Sequence, residues 1–217
     1  MCHTSCIEED AGSLKSFLTT IKDWLDASNN TCEVLTLLLV NSDDLDVSEF
    51  GSVFEAVGLD SYAYAPSKTL SSLSSWPTLS SLISSSTRLI VFMDYEADTS
   101  SVPYILDEFT YFFETPYDTT DPDFPQCSID RPSDLSTAEA ADSRMYLVNH
   151  FLDDEVLGIL IPDEDDAATT NSVQSIAGQV EICLGLYENR APKGVLVDYL
   201  EKGSVFEAER LMNNLVS

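Results

Sequence analysis

Basic residues are scarce in this chain. Ten Lys plus Arg stand against 38 Asp plus Glu, a formal net charge of −28 over 217 residues. So acidic a surface repels DNA, RNA and anionic membranes. It favours solubility and suits acidic surroundings, where part of the charge is protonated; its blandest meaning is a solvated face with no specific partner. Long apolar runs are missing too: none approaches the roughly 20 residues of a membrane-spanning helix. No basic stretch followed by an apolar one opens the chain, so no signal peptide is visible. GxGxxG, the Walker A loop and GxSxG are all absent, which removes the usual signatures of dinucleotide binding, P-loop chemistry and a serine nucleophile elbow. Histidine is down to two residues, His3 and His150.

What is present is ordinary for a globular protein: 44% hydrophobic and 10% aromatic residues. The length suffices for one domain with a sizeable core, and no internal repeat or linker interrupts it. Five apolar, β-rich runs each stop on a polar or acidic residue. Residues 34–40 end at Asn41, 88–93 at Asp94, 110–113 at Glu114, 145–148 at Asn149 and His150, and 194–197 at Asp198. Amphipathic stretches at helical spacing separate them, over 8–27, 46–57 (with Gly58 as C-cap), 171–186 and 205–215. A Ser-rich segment, 61–87, reads as loop with a short helix opened by Trp76-Pro77-Thr78. Residues 115–135, with four prolines, read as a long functional loop or lid, and 153–170 as an acidic loop.

Strands alternating with helices predict a parallel α/β sheet. Both a (β/α) barrel and an open doubly wound sheet gather ligands at the C-terminal ends of their strands. The mouth then holds Asn41, Asp94, Glu114 and His150. A full barrel takes roughly 250 residues, and only five full strands plus a fragment at 1–3 are legible here. The expectation is a barrel incomplete at its N-terminus, one or two strand–helix units short.

Five cysteines occur. Zinc at Cys2, His3 and Cys6 would crowd its ligands, and no second ligand pair exists. Disulfides fit better, Cys2 with Cys6 and Cys127 with Cys183, leaving Cys32 odd. Pairing implies an oxidising, extracellular setting. The sequon Asn29-Asn30-Thr31 agrees, with Asn29 as the acceptor.

Several segments together resemble the fungal secreted phosphatidylinositol-phospholipase-C-like phosphodiesterases, a TIM-barrel superfamily. They are Met1-Cys-His-Thr-Ser-Cys6, Leu35-Thr-Leu-Leu-Leu-Val-Asn41, Trp76-Pro77-Thr78 and Arg88-Leu-Ile-Val-Phe-Met-Asp-Tyr95. Further along come Tyr104-Ile-Leu-Asp-Glu-Phe109, Met145-Tyr-Leu-Val-Asn-His150, Arg190-Ala-Pro192 and Val195-Leu-Val-Asp-Tyr199. The match keeps its order over nearly the whole chain. It implies an α/β barrel in which residues 1–217 form a single domain, the C-terminal two-thirds to three-quarters of it. It also implies a metal-independent hydrolysis of a phosphodiester, with a lipid or inositol head group as partner. His3 then resembles the general acid and Asp198 the carboxylate that orients the other histidine. That histidine and the phosphate-binding arginine belong to strands expected upstream, so the isolated chain is expected to be inactive or nearly so. Metal-dependent branches suggest Ca2+ at Asn41 with Asp43 or Asp94 as the alternative to no cofactor. The competing expectation is a non-catalytic secreted barrel with a binding or structural role. The setting implied is extracellular or cell-wall associated, and the oligomeric state stays open.

Overall fold

A computed structural model describes residues 2–3, 9–137, 140 and 143–214, with side chains from residue 11 onward. The chain divides into two compact units, residues 1–110 and 111–217.

In the first unit, β1 (Cys2–His3) pairs antiparallel with β2 (Glu9–Asp10). Helix α1 (Leu14–Asp26) starts where Gly12, at φ +83°, breaks the chain and the Ser13 hydroxyl accepts from the Ser16 N–H at 3.1 Å. A serine so placed satisfies one of the orphan amides of a helix start. Leu18, Ile21 and Leu25, at spacings of three and four, form its buried stripe. Strands β3 (Leu35–Leu39), β4 (Leu89–Met93) and β5 (Ile105–Asp107) form a parallel sheet in that order. Between β3 and β4 lie α2 (Val47–Val57), N-capped by Asp46 and C-capped by left-handed Gly58, and the short α3 (Leu79–Ser84). Phe54, Leu59, Leu89, Val91, Met93 and Ile105 join the α1 stripe in one apolar core. Buried Arg88 donates to the carbonyls of Leu25, Asn30 and Glu33, which fastens the end of α1 to the start of β4.

Helix α4 (Glu108–Tyr111) precedes β6 (Phe112–Glu114). In the second unit β7 (Met145–Asn149) is the central strand of a parallel sheet ordered β10-β7-β6, where β10 spans Gly194–Leu196. An antiparallel hairpin, β8 (Asp153–Val156) and β9 (Ile159–Pro162), follows β7. Then come the one-turn α5 (Ala167–Thr170), the long α6 (Val173–Leu186) and, after β10, α7 (Val205–Met212). The rings of Phe113, Tyr146 and Tyr187 lie 4.9–5.2 Å apart between centroids. Beside them the Cys127–Cys183 disulfide joins the long loop to α6, with Cα atoms 5.2 Å apart. Ala208 of α7 packs on Ile176 and Val180 of α6.

The expected TIM barrel is corrected. The strands form two three-stranded parallel sheets and two antiparallel pairs, and no ring closes among the described residues. A barrel requires every strand to be paired on both sides, whereas among the described residues β3, β5 and β10 are each paired on one side only and the outer edge of β6 carries just the isolated bridge from Glu114 to Arg131. Alternation of strand and helix is common to barrels and open sheets, so it does not decide closure. The mixed α/β character and the parallel pairing are as read from the runs. Smaller corrections have local causes. The helix expected from residue 8 begins at Leu14, behind Gly12. The strand expected at 110–113 begins at Phe112, after a turn of helix, which places Glu114 inside β6. The acidic loop expected over 153–170 is a hairpin and a helical turn. Leu157 and Gly158 take φ of +55° and +82° there, the positive-φ pair that a two-residue hairpin turn demands.

Candidate functional site

In the first unit the strand ends carry Asn41 and Asp94, both buried. The Asn41 N–H donates to Asp94 Oδ1 at 2.7 Å, and the Tyr95 N–H donates to the same oxygen at 2.8 Å. The Asn41 amide reaches both its own loop and the one after β4. It donates to the carbonyls of Leu45 and Tyr95, and its oxygen accepts from the Leu45 N–H at 3.0 Å. The pair therefore locks the loops after β3 and β4 together. Asp94 Oδ2 is buried without a hydrogen-bond partner among the described residues. For the Ca2+ alternative, Asn41 has its oxygen committed and Asp43 is exposed. Among the described residues no group of three or more His, Cys, Asp or Glu is arranged to hold a metal ion.

In the second unit Glu114 is buried and accepts on Oε2 from Arg131 Nε (3.0 Å) and from Asn149 Nδ2 (3.2 Å). Arg131 also pairs with it through Nη2, and its guanidinium lies 5.1 Å from the Tyr117 ring centre. Asn149 donates further to the Thr115 carbonyl, and its N–H to the Thr115 hydroxyl. The ends of β6 and β7 are thus cross-braced by charge-assisted bonds, which are stronger than neutral ones.

His150 is fully buried and wedged against the Phe124 ring, with 4.1 Å between centroids. Its Nδ1 meets Gln179 Oε1 at 2.6 Å, and its Nε2 meets the Thr170 carbonyl at 2.8 Å and the Ser175 hydroxyl at 3.2 Å. Gln179 is oriented by its own amide, which donates to the carbonyls of Gln126 and Asn149. Burial holds the imidazole below its ordinary value of 6.5, against the opposing pull of Gln179 and Thr170. Desolvation disfavours the charged ring more than these two contacts favour it, so the ring is neutral near pH 7 and its single N–H donates to only one of the two carbonyl oxygens. With both nitrogens occupied by interior partners, His150 ties the end of β7 to α5 and α6 and presents no face to a substrate.

Asp198 follows β10 and is half-buried. Its carbonyl, with those of Tyr199 and Lys202, accepts from the Asn171 amide. Asn171 thereby sets the path of the loop that carries Asp198. A cavity of about 330 Å³ opens beyond β6, lined among others by Tyr117, Asp118, Thr119, Asp121, Gln126 and Gln179. Its carboxylates, hydroxyls and amides can exchange hydrogen bonds with a polar ligand.

The structure brings Asn41 to Asp94, and Glu114 to Asn149. It gives His150 to Gln179 and Thr170. The side chains of His3, Cys2 and Cys6 lie outside the described residues, so the general-acid role and the Cys2–Cys6 pairing are not addressed there. Asn29 is exposed in the turn after α1, and Cys32 is exposed and unpaired among the described residues. Arg131, Asn171 and Gln179 escaped the sequence reading. Gln179 had a signal: it is a polar residue on the helix face between Ile176 and Val180 and Cys183.

A mixed α/β chain whose parallel strands end in braced Asn, Asp, Glu and His residues is the class that fold and site define. The family described as PI-PLC X 1 matches residues 1–213, and the chain belongs to this family. A PI-PLC X domain-containing protein of Arthroderma benhamiae is 51% identical, over 99% of this chain and 69% of its own length. An uncharacterized secreted protein of the same fungus is 40% identical, over 99% and 50%. A PI-PLC X domain-containing protein of Arabidopsis thaliana is 26% identical, over 87% and 42%. The chain thus spans between two-fifths and about two-thirds of the length of these relatives. No solved structure matches it significantly. Among the described residues no helix is long and apolar enough to cross a membrane.

Proposed function

We propose that this chain serves a secreted phosphodiester hydrolase of the phospholipase C type, acting on a lipid or inositol phosphodiester. His3 acts as general acid and Asp198 as the carboxylate that orients an imidazole. The observation that carries this reading is membership of the PI-PLC X family over residues 1–213. The Cys127–Cys183 disulfide and the relative named as secreted support an extracellular setting. General acid–base catalysis needs a titratable side chain within reach of the substrate, most often a histidine. His150 is withdrawn from that role by its interior bonds, which leaves His3.

The same withdrawal favours a second reading, a non-catalytic binding protein built on this fold. A phosphodiesterase assay on phosphatidylinositol vesicles and a bis-aryl phosphate separates the two, using the natural gene product and its His3→Ala and Asp198→Asn variants. On the hydrolase reading, His3→Ala lowers kcat by about 10²–10⁴-fold, and Asp198→Asn lowers it less. Undiminished turnover by His3→Ala would sink it. No turnover by the natural protein, together with saturable vesicle binding, would establish the second reading.

A further inference from the structure

The β8–β9 hairpin carries an apolar wedge inside an acidic collar. Leu157 at the tip is fully exposed, and Val156, Ile159 and Ile161 are 49%, 65% and 47% exposed. The register pairs Val156 with Ile159 and Asp154 with Ile161, so these four lie on one face of the ribbon, while Glu155 and Leu160 share the other. Single exposed apolar residues are ordinary, but a contiguous group bordered by polar ones marks an interaction surface. A two-stranded hairpin is also marginal in water by itself, so this one gains from being covered. The flanking charge is one-signed: Asp154 on the same face, Glu155 on the other, and Glu164, Asp165 and Asp166 just after β9 are all exposed. Among the described residues, Lys202, 2.8 Å from Glu164, is the single basic partner of these five.

Charge decides among the possible covers. An anionic bilayer repels carboxylates as it attracts lysines, and five carboxylates stand here. A second copy of this chain would bring two such collars together, each on a molecule of net charge −28. A surface with an apolar groove and a Lys- or Arg-bearing rim satisfies both parts at once. We propose that this hairpin docks a cationic, amphipathic protein partner, with Val156, Leu157, Ile159 and Ile161 filling the groove and the collar meeting its basic rim. The proposal stands apart from the phosphodiesterase reading and holds whether or not the chain is catalytic.

The test uses the intact chain and a synthetic amphipathic Lys/Leu helical peptide as probe, with fluorescence anisotropy at low and high salt. The double variant Ile159→Ser/Ile161→Ser should weaken binding at least tenfold. Asp154→Asn/Glu155→Gln should weaken it a few-fold and flatten the salt dependence. Asp43→Asn, a charge change in the other unit, should leave it unchanged. Circular dichroism confirms that each variant is folded. Equal losses from Asp43→Asn and from the hairpin variants would show adhesion by bulk charge alone and overturn the proposal. So would binding to zwitterionic vesicles in preference to the peptide, or self-association of the natural chain that Ile159→Ser/Ile161→Ser removes.

Discussion

The two units carry the same motif, three short parallel strands backed by helices, and stabilise it by different means. The first sheet rests on an apolar core: the α1 stripe, Phe54, Leu59 and the inward residues of β3, β4 and β5. Its strand-end polar residues, Asn41 and Asp94, bond to each other and to the backbone of the two loops that follow β3 and β4. The second sheet has a smaller apolar cluster, crossed by a disulfide. Its strand-end residues bond to side chains far along the chain: Glu114 to Arg131 and Asn149, His150 to Gln179. A polar residue at the end of a parallel strand is therefore no sure mark of a reagent. In the first unit it shapes a loop, and in the second it braces the interior.

The largest difference between the units should come from the apolar core. Phe54→Ala empties the centre of the first unit and should cost about 3–5 kcal/mol. Loss of amide-exchange protection should centre on β3, β4 and β5. Equal loss across β6 and β7 would erase the contrast drawn between the sheets. Next in size is the disulfide. Cys127 and Cys183 are 56 residues apart, and for a loop of that length Cys183→Ala should cost about 2–5 kcal/mol. Here the loss should centre on β6, β7 and α6, and denaturant unfolding followed by probes in each unit would report it. A first unit that melts just as early would merge the two into one cooperative block.

Strand identity was legible because Val, Leu, Ile and Phe dominate short runs, and parallel pairing followed from the helices between them. Closure was not legible, since it depends on ladders between distant edges that no local pattern records. The β8–β9 hairpin was hidden by its acidic flanks: Val156-Leu157-Gly158-Ile159-Leu160-Ile161 is a strand–turn–strand pattern inside a segment whose charge suggests loop. The site was legible in location but not in role. His150 stands at a strand end as expected, but its partner Gln179 lies 29 residues further on, and only the fold brings the two together. Arg131 sits in the Pro-rich loop, where sequence offered no reason to match it with Glu114.

The smallest effect bears most directly on the claim that the polar strand ends of the second unit are interior fixtures. Burial lowers the native His150 pKa below 6.5, so as pH falls the unfolded chain takes up this proton first. The stability His150 contributes is complete above 6.5 and is lost as pH falls from there through the native value. A His150→Phe variant should lack that component of the pH slope. Nitrogen NMR of the imidazole over pH 4–8 measures the group itself. The structure calls for a midpoint below the ordinary 6.5, because burial disfavours the charged ring. A midpoint at or above 6.5 would show that burial does not govern this ring, and would contradict the account.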